Sequence, residues 1–557
     1  MGRVARTLAL LSASIVLAAS SVAPVSPQQP GGGHFWDDDG NVHEGWIEAI
    51  FTEGITNGCG GDFNDLYCPD RAVTRGQMAA FLVRALDLPP AAVSDRFTDD
   101  DTSAFEREID AVAAAGITRG CNPPANDRYC PDDPMRRGQT AAFLVRALDL
   151  PPAAVADRFA DDDTSVFETD IDAVAAAGIT LGCDAADPER YCPDSAVRRD
   201  QMAAFLGRAL GLTGLMPPRR PAVTTAFTGD LLLNMPVNAA ASSYGASSGR
   251  AYDFRPMFEP VATILSTADL AICHLEVPLS PTSTGLSGYP TFLAPAELAD
   301  AIAGAGYDGC SVASNHSYDR SRQGVLDTLS VLDSRQIGYA GMSASAADRA
   351  EPTIYVVDAV AVAHLSYTYS LNGLVLPPNE PWLVNLIDES VILADASAAR
   401  GAGADVVIVS LHWGAEYRSM PTSTQDALGR ALISSDDVDL VVGHHAHVVQ
   451  PLEKVGSEYI AYGLGNFLSN QRSNPFTQDG VIISVEFALR GERMSARSVT
   501  YTPTWVESGS YRILPAAETI QSGAAAAWVL NALEDSWYRT HAAIGGRFND
   551  AAASAWP

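Results

Sequence analysis

Positive charge is scarce in this 557-residue chain: 36 Lys and Arg stand against 67 Asp and Glu, a formal net charge of −31. That balance argues against a nucleic-acid binder, since phosphates would be repelled. Cysteine is absent before Cys59, which excludes a lipid-modified cysteine near the start. Long hydrophobic runs are also missing. The apolar stretch Leu8 to Ala19 is short for a membrane span, and an N-terminal anchor that is never cleaved is the other reading of it. It follows Arg3 and Arg6 and leads through small residues, Ala18 to Ala23, into the Pro/Gly-rich Pro24 to Gly33. That order reads as an export signal and linker over residues 1–33. A secreted protein, not integral to the membrane after signal cleavage, is therefore expected. Apolar residues make up 47% of the chain, enough to build cores, and the length suggests two to four domains.

Six of the eight cysteines form pairs of equal spacing: Cys59 and Cys68, Cys121 and Cys130, Cys183 and Cys192. In an exported chain this reads as one small disulfide loop per unit. A zinc site would need further ligands, and none recurs beside the pairs. Cys273 and Cys310 lie in apolar, strand-like runs and read either as buried thiols or as a late-formed pair. From Cys59 to Cys121, and again from Cys121 to Cys183, is 62 residues. At that period Asp37-Asp38-Asp39 recurs as Asp99-Asp100-Asp101 and Asp161-Asp162-Asp163. Gly54-Ile55-Thr56, Arg75 and Phe81 recur likewise. Three copies suit an array that buries its faces against neighbours. Each copy reads as helix, cysteine loop, helix. Thr74-Arg75-Gly76-Gln77 is a capping box, and Met78, Phe81, Leu82, Ala85 and Leu86 form an apolar stripe. Gly116 is placed to end the first helix of the second copy. The Asp triplets read as caps and favourable charge at helix starts, with a calcium site as the other reading.

These repeats, Phe35 to Leu212, resemble the S-layer homology (SLH) module. The resemblance rests on the aromatic-Asp start, the Gly-Ile-Thr-x-Gly turn, the Tyr-Cys-Pro-Asp segment and Thr74-Arg75-Gly76-Gln77, which is similar to that family's Thr-Arg-Ala-Glu. It implies an all-α module with repeats at 34–96, 97–158 and 159–212. It also implies cell-wall polysaccharide as a partner, with Arg75, Arg137 and Arg199 as exposed wall-polymer contacts. A solvated helix face is the plainer reading of those arginines. Gln77, Gln139 and Gln201 replace the acidic end of the signature, and Arg136 and Arg198 replace Thr74 in the later copies.

Residues 213–221 contain Met216-Pro217-Pro218 and form a stiff linker. Beyond it, β-rich runs alternate with helical stretches such as Gln323 to Asp333, which indicates an α/β domain. The runs are Val223 to Thr228, Leu270 to Cys273, Cys310 to Ala313, Val406 to Ser410 and Val438 to Val442. Each ends in residues of metal-ligand type: Asp230; His274 and Glu276; Asn315 and His316, with Asp319 after them; His412 and Glu416; His445 and His447. His445-Ala446-His447, read as extended backbone, would point both imidazoles to one side. Mixed oxygen and nitrogen donors suit divalent Mn, Fe or Zn.

This constellation, over Val223 to Leu489, resembles the CapA (PGA_cap) capsule-synthesis family, a branch of the calcineurin-like metallophosphoesterase fold. The motifs are Phe227-Thr228-Gly229-Asp230, Leu275-Glu276, Ala313-Ser314-Asn315-His316, His412-Trp413-Gly414-Ala415-Glu416, Gly443-His444-His445-Ala446-His447 and Tyr462-Gly463-Leu464-Gly465-Asn466-Phe467. The resemblance implies a calcineurin-like α/β sandwich, given the bounds 222–515. The stretch 516–557 reads by itself as a helical tail, with a helix at Ala524 to Glu534. It implies Asp230, Glu276, Asn315, His412, His445 and His447 as metal ligands, with Glu276 bridging. His316 and Asp319 become the catalytic residues, His316 as general acid or leaving-group contact. Leu232 stands where a classical phosphoesterase has His, and His274 stands where the family has Asn. The function expected is an exported, cell-wall-anchored protein of poly-γ-glutamate or capsule-polymer biosynthesis, metal-dependent and hydrolase-like, with poly-γ-glutamate or another anionic polymer as partner. The alternatives are a secreted metallophosphoesterase acting on phosphate esters and a non-catalytic polymer-binding protein.

Overall fold

The computed structural model describes residues 33–60, 65–91, 96–153, 158–184, 187–214, 221–490, 493–545 and 552–553. The expected export signal, apart from Gly33, and most of the linker lie outside the described residues. The chain forms two compact units that divide at Arg220/Pro221. No helix among the described residues is long and apolar enough to cross a membrane.

The first unit is three helix pairs: α1 (Glu44–Thr52) and α2 (Arg75–Leu86), α3 (Glu106–Ala114) and α4 (Arg137–Leu148), α5 (Glu168–Ala176) and α6 (Arg199–Ala209). Thr74 and Gln77 form the expected capping box at α2. In α4 and α6 the Gln half survives: Gln139 and Gln201 accept from the backbone N–H of Arg136 and Arg198. Gly116 ends α3 at φ +73°, where a side chain would be strained. Each cysteine pair is bonded within its own copy, which removes the thiolates a zinc site would need.

The Asp triplets do not cap the first helices. The N-cap residues of α1, α3 and α5 are His43, Phe105 and Phe167, none with a side-chain cap bond. The first Asp of each triplet instead reaches thirty residues along the chain. Asp37 accepts from the N–H groups of Tyr67 and Cys68, Asp99 from Tyr129 and Cys130, Asp161 from Tyr191 and Cys192. The triplet thus anchors its own cysteine loop. The middle residues, Asp38, Asp100 and Asp162, are buried.

The three copies close into a ring. Met135 N–H donates to Val73 O, Val197 N–H to Met135 O, and Val73 N–H to Val197 O, at 2.8–2.9 Å. Around this triangle α2 packs on α3, α4 on α5 and α6 on α1. The signature arginines hold the same joints, which corrects their reading as exposed. Arg75, Arg137 and Arg199 are only 3–4% exposed. Each Nε donates at 2.7 Å to the tyrosine carbonyl of the next copy: Tyr129, Tyr191 and Tyr67. Each guanidinium also lies 4.7–4.8 Å over that tyrosine's ring. A cation over an aromatic face contributes about 0.5–2 kcal/mol, more where water is excluded.

The second unit stacks two sheets. Its strands are β1 (Ala222–Leu232), β2 (Leu270–Leu275), β3 (Leu279–Ser280), β4 (Ala294–Pro295), β5 (Gly309–Ser311), β6 (Gly338–Ala340), β7 (Thr353–Val357) and β8 (Val360–Thr368). They continue as β9 (Val406–His412), β10 (Leu440–His444), β11 (Leu452–Val455), β12 (Glu458–Ala461), β13 (Asn466–Ser469), β14 (Asp479–Arg490), β15 (Arg493–Val506) and β16 (Ile513–Pro515). One sheet runs β16-β15-β14-β1-β2-β5-β6 with β13 beside β1, and the other runs β11-β12-β10-β9-β8-β7. Val223, Phe227 and Ile272 of the first interleave with Val362, Ile408 and Leu440 of the second. Helices cover the outer faces, where separate apolar clusters form. With alternation of period two, Ile408, Ser410 and His412 share one face of β9. The space between the sheets therefore changes from aliphatic to hydroxyl and imidazole toward the carboxyl ends of the strands.

Cys273 and Cys310 are direct neighbours on β2 and β5 and are bonded to each other, so the pair reading holds and the thiol reading does not. The helix expected from Gln323 runs Ser321–Asp333. The helix expected at Ala524 to Glu534 runs Ala527–Gly545 and follows a short one, Ala516–Ser522. Val529 and Leu533 of the long helix pack against Trp505 and Leu514, and Arg539 makes a two-pronged bond to Asp479 at 2.6 and 2.7 Å. The tail is thus part of the second unit.

Candidate metal centre

Strand ends meet here because glycines let backbones touch. A Cβ on Gly229 would meet Gly465 O at 2.2 Å, and one on Gly443 would meet Tyr462 O at 1.9 Å. Without side chains at both places, the ends of β1 and β10 draw in beside the segment leading to β13. Asp230 on β1 then lies in register with His274 on β2 and Asn466 on β13. β9 and β10 pair so that His412 lies beside His444.

All six expected ligands converge. Asp230 Oδ2 is 3.0 Å from His447 Nδ1 and accepts from His445 N–H at 3.3 Å. Glu276 Oε1 is 3.8 Å from His447 Nε2 and 3.9 Å from His412 Nε2. His412 Nε2 is 3.0 Å from Asn315 Oδ1. The His445 and His412 rings lie 4.6 Å apart. The two outer histidines reach the site by a different route from the expected one. β10 ends at His444, and His445 and His447 have left-handed backbone, φ +86° and +55°. A turn, not the alternation of a strand, aims them inward.

Three further side chains join the site. His444 Nδ1 is 3.2 Å from Asp230 Oδ1, and His274 stacks on the His444 ring at 3.9 Å. Glu416 offers an oxygen close to nitrogens of His445 and His447, and Asp230, His274 and His444 make a second such group. Asn466 Oδ1 is 3.1 Å from His447 Nδ1. His444, Glu416 and Asn466 all stood inside recognised motifs, and Glu416 was already among the expected donors; His444 ends β10 two residues past the expected run, and Asn466 opens β13, a strand not expected there. Asn372, which accepts from Asn315 Nδ2 at 3.3 Å, sits in a loop with no motif to find it by.

His316 lies beside this group. Its Nδ1 is 2.8 Å from Asp319 Oδ2, and Asp319 also accepts from Phe292 N–H at 2.7 Å. Phe292 meets the His316 ring edge-on at 4.6 Å. His316, Glu416 and His447 face a cleft of about 300 Å³ whose wall includes Asn234, Tyr289 and Gln471.

The electrostatics are those of a buried site with spare negative charge. Both Glu276 oxygens are buried and have no hydrogen-bond partner, and His445 Nδ1 is likewise unpartnered. Burial raises the Glu276 carboxyl to about 7. Burial opposes charge on His447, but Glu276 and Asp230 overcome it and raise the imidazole to about 9. Burial also works against Asp230, yet bonds from His444 and His447 hold its carboxyl well below the usual range. His274 and His412 are pushed well down by burial, and His445 to about 4. The neutral imidazoles of His412 and His445 beside the unpartnered Glu276 carboxylate are donors a divalent cation takes, and such an ion would displace the proton that His447 holds. The residues fit such an ion.

Residues 224–471 match the model of the family described as Bacterial capsule synthesis protein PGA_cap. This segment of the second unit is similar to a bacterial capsule-synthesis family. The "Capsule biosynthesis protein CapA" of Bacillus anthracis is 26% identical over 302 residues, covering 52% of this chain and 68% of that protein. The "PGA biosynthesis protein CapA" of Bacillus subtilis (strain 168) is 28% identical over 273 residues, covering 48% and 69%. Among solved structures, the calcineurin-like phosphoesterase YfkN from Bacillus subtilis aligns at a TM-score of 0.31 and 12% identity, over 57% of this chain and 100% of that one. The capsule-synthesis match spans every expected metal ligand and leaves the helical first unit outside it.

Proposed function

We propose that the second unit is a divalent-metal centre of the CapA type that acts in making or attaching a poly-γ-glutamate or similar capsule polymer, on a calcineurin-like fold. The observation that carries this reading is Glu276, a buried carboxylate with two unpartnered oxygens among histidine nitrogens. Asp230, Glu276, Asn315, His412, His445 and His447 would hold the metal, which when bound supplies Lewis-acid polarisation of a carbonyl or phosphoryl oxygen and a more acidic water. Asp319 holds the His316 ring by Nδ1. That leaves Nε2 to hold or pass a proton at the leaving atom of a substrate in the cleft. Phe292 walls that ring on one side and shields it from water.

The first unit is the proposed anchor to cell-wall polysaccharide, following its SLH resemblance, and the protein is proposed to be secreted and held at the cell surface. Every cysteine of the described chain is disulfide-bonded, which supports an oxidising compartment. The second reading is a secreted phosphoesterase, favoured by the His316–Asp319 pair beside the carboxylate–imidazole cluster. One experiment separates the two. Purified protein reconstituted with Mn²⁺ or Zn²⁺ is assayed against poly-γ-glutamate and against phosphate mono- and diesters, with metal content measured in parallel. Turnover of the γ-glutamyl polymer alone supports the capsule reading, and turnover of esters alone supports the second. A protein that takes up no metal overturns both.

A further inference from the structure

We infer that His274 and Ser311 are positioning residues that decide which nitrogen of His412 faces the metal. The inference rests on the metal reading above and goes beyond it to residues outside the ligand set. β2 and β5 run parallel, with His274 directly opposite Ser311. His274 Nδ1 is 2.7 Å from Ser311 Oγ, and Ser311 Oγ is 3.3 Å from the Cys273 carbonyl oxygen. On its other edge His274 Nε2 is 3.0 Å from His412 Nδ1. The far edge of His412, Nε2, looks toward Asn315 Oδ1 and Glu276 Oε1. Ser311, His274 and His412 are all buried, so no water competes for these bonds.

The chain of bonds has a direction. Both ends of the chain only accept, the Cys273 carbonyl oxygen and Asn315 Oδ1. A metal ion held by Asn315 Oδ1 would also take the His412 Nε2 lone pair, which sends the Ser311 hydroxyl hydrogen to the Cys273 carbonyl. Ser311 Oγ then accepts from His274 Nδ1–H. His274 Nε2, left with its lone pair, accepts from His412 Nδ1–H. His412 Nε2 is left bare and points at the carboxylate and amide oxygens of the site. Each imidazole carries one proton and stays neutral. Reversing the direction keeps the same number of protons but places one on His412 Nε2, where it blocks a ligand position. Hydrogen-bond partners behind a metal-binding imidazole commonly fix its tautomer in this way. Stacking on His444 at 3.9 Å and 12° stops the His274 ring from turning out of line. The Cys273–Cys310 bond, one residue back on both strands, holds the register that sets His274 opposite Ser311.

The test uses the full-length protein. Calorimetric titration of metal-free protein with Mn²⁺ is expected to show about 10–100-fold weaker binding for Ser311→Ala, the usual size for a lost partner behind a ligand. Ser311→Thr, which keeps the hydroxyl, is expected to restore most of that loss. ¹⁵N spectra of histidine-labelled, Zn²⁺-loaded wild type are expected to show His412 with a protonated Nδ1 and a metal-bound Nε2. Equal Mn²⁺ affinity for wild type and Ser311→Ala, with His445→Ala weakened, overturns the inference and leaves the metal reading standing. A loaded His412 bound through Nδ1 does the same, and this readout needs no variant to fold. Wild type that binds neither ion overturns both.

Discussion

His447 Nε2 stands 3.8 Å from Glu276 Oε1, close enough to feel its charge and too far to satisfy it. A cation placed among these groups gains both. Glu276→Gln is therefore expected to lose bound metal, since a neutral amide offers an ion no charge. His445→Ala is expected to lower metal content by removing a nitrogen donor. Elemental analysis of purified, reconstituted protein checks both.

His316 is not among the six expected ligands, and its Nδ1 is 2.8 Å from Asp319 Oδ2. His316→Ala is expected to keep the wild-type metal content and to lower turnover about 10²–10⁴-fold, the usual contribution of a general acid. Asp319→Asn is expected to fall between, by letting the ring drift. Kinetics alongside metal content separate these outcomes from a damaged centre.

The buried arginines of the first unit are predicted to be structural. Arg199→Ala would leave the Tyr67 carbonyl unpaired in a buried joint, which costs about 1–3 kcal/mol before any loss of packing. Arg199→Lys is expected to rescue little, because an ammonium lacks the flat fork that both bonds the carbonyl and lies on the ring. Thermal unfolding of the full chain, followed by proteolysis at sites within the first unit, reads this out. Cell-wall sedimentation is expected for the intact protein and not for the segment from Ala222 onward. A triple arginine variant that stays folded and still sediments would assign wall contact to other residues.

Asp38 sets a pH dependence with a definite sign. Burial, then Glu48 and Glu44, raise its carboxyl from 3.8 to about 9. The folded unit therefore holds this proton more tightly than the unfolded chain does. Its contribution is fully present below pH 3.8 and is lost as pH rises through about 9. The melting midpoint of the first unit is expected to fall between pH 5 and pH 9. Asp38→Asn is expected to flatten that limb and to raise the midpoint at pH 8.

Peptide mapping without reduction is expected to find Cys59–Cys68, Cys121–Cys130, Cys183–Cys192 and Cys273–Cys310. Closing the 37-residue separation of the last pair contributes about 3–4 kcal/mol in the loop-entropy picture. Cys273→Ser with Cys310→Ser is expected to lower stability and, by loosening the strands behind His412, metal affinity as well.

The repeats were legible because a 62-residue period repeats local signals: a capping box, a glycine stop, a cysteine pair. Convergence of the six expected ligands was legible because strand ends in an open α/β sheet collect at one edge, and each motif carried its own ligand type. Directions were not legible. The three arginines looked like a polar face because nothing local to Arg199 announces Tyr67, 132 residues away. His445 and His447 looked like strand residues because their left-handed backbone leaves no mark on a His-Ala-His string. The role of Asp37 hid for the same reason, since its partners lie thirty residues on. Cys273 and Cys310 could be placed in strands but not paired, because pairing depends on register.

The triangle of bonds among Val73, Met135 and Val197 has no first or last member. An open stack of repeats can lengthen by duplication and needs special end copies to cover its exposed faces. Here the third copy completes what the first began, and among the described residues each copy is joined to both others. Loss of one copy would break two of the three joints, and insertion of a fourth would open one. Closure also frees the order of the copies along the chain: joining the ends and reopening the chain between copies would preserve every bond of the ring.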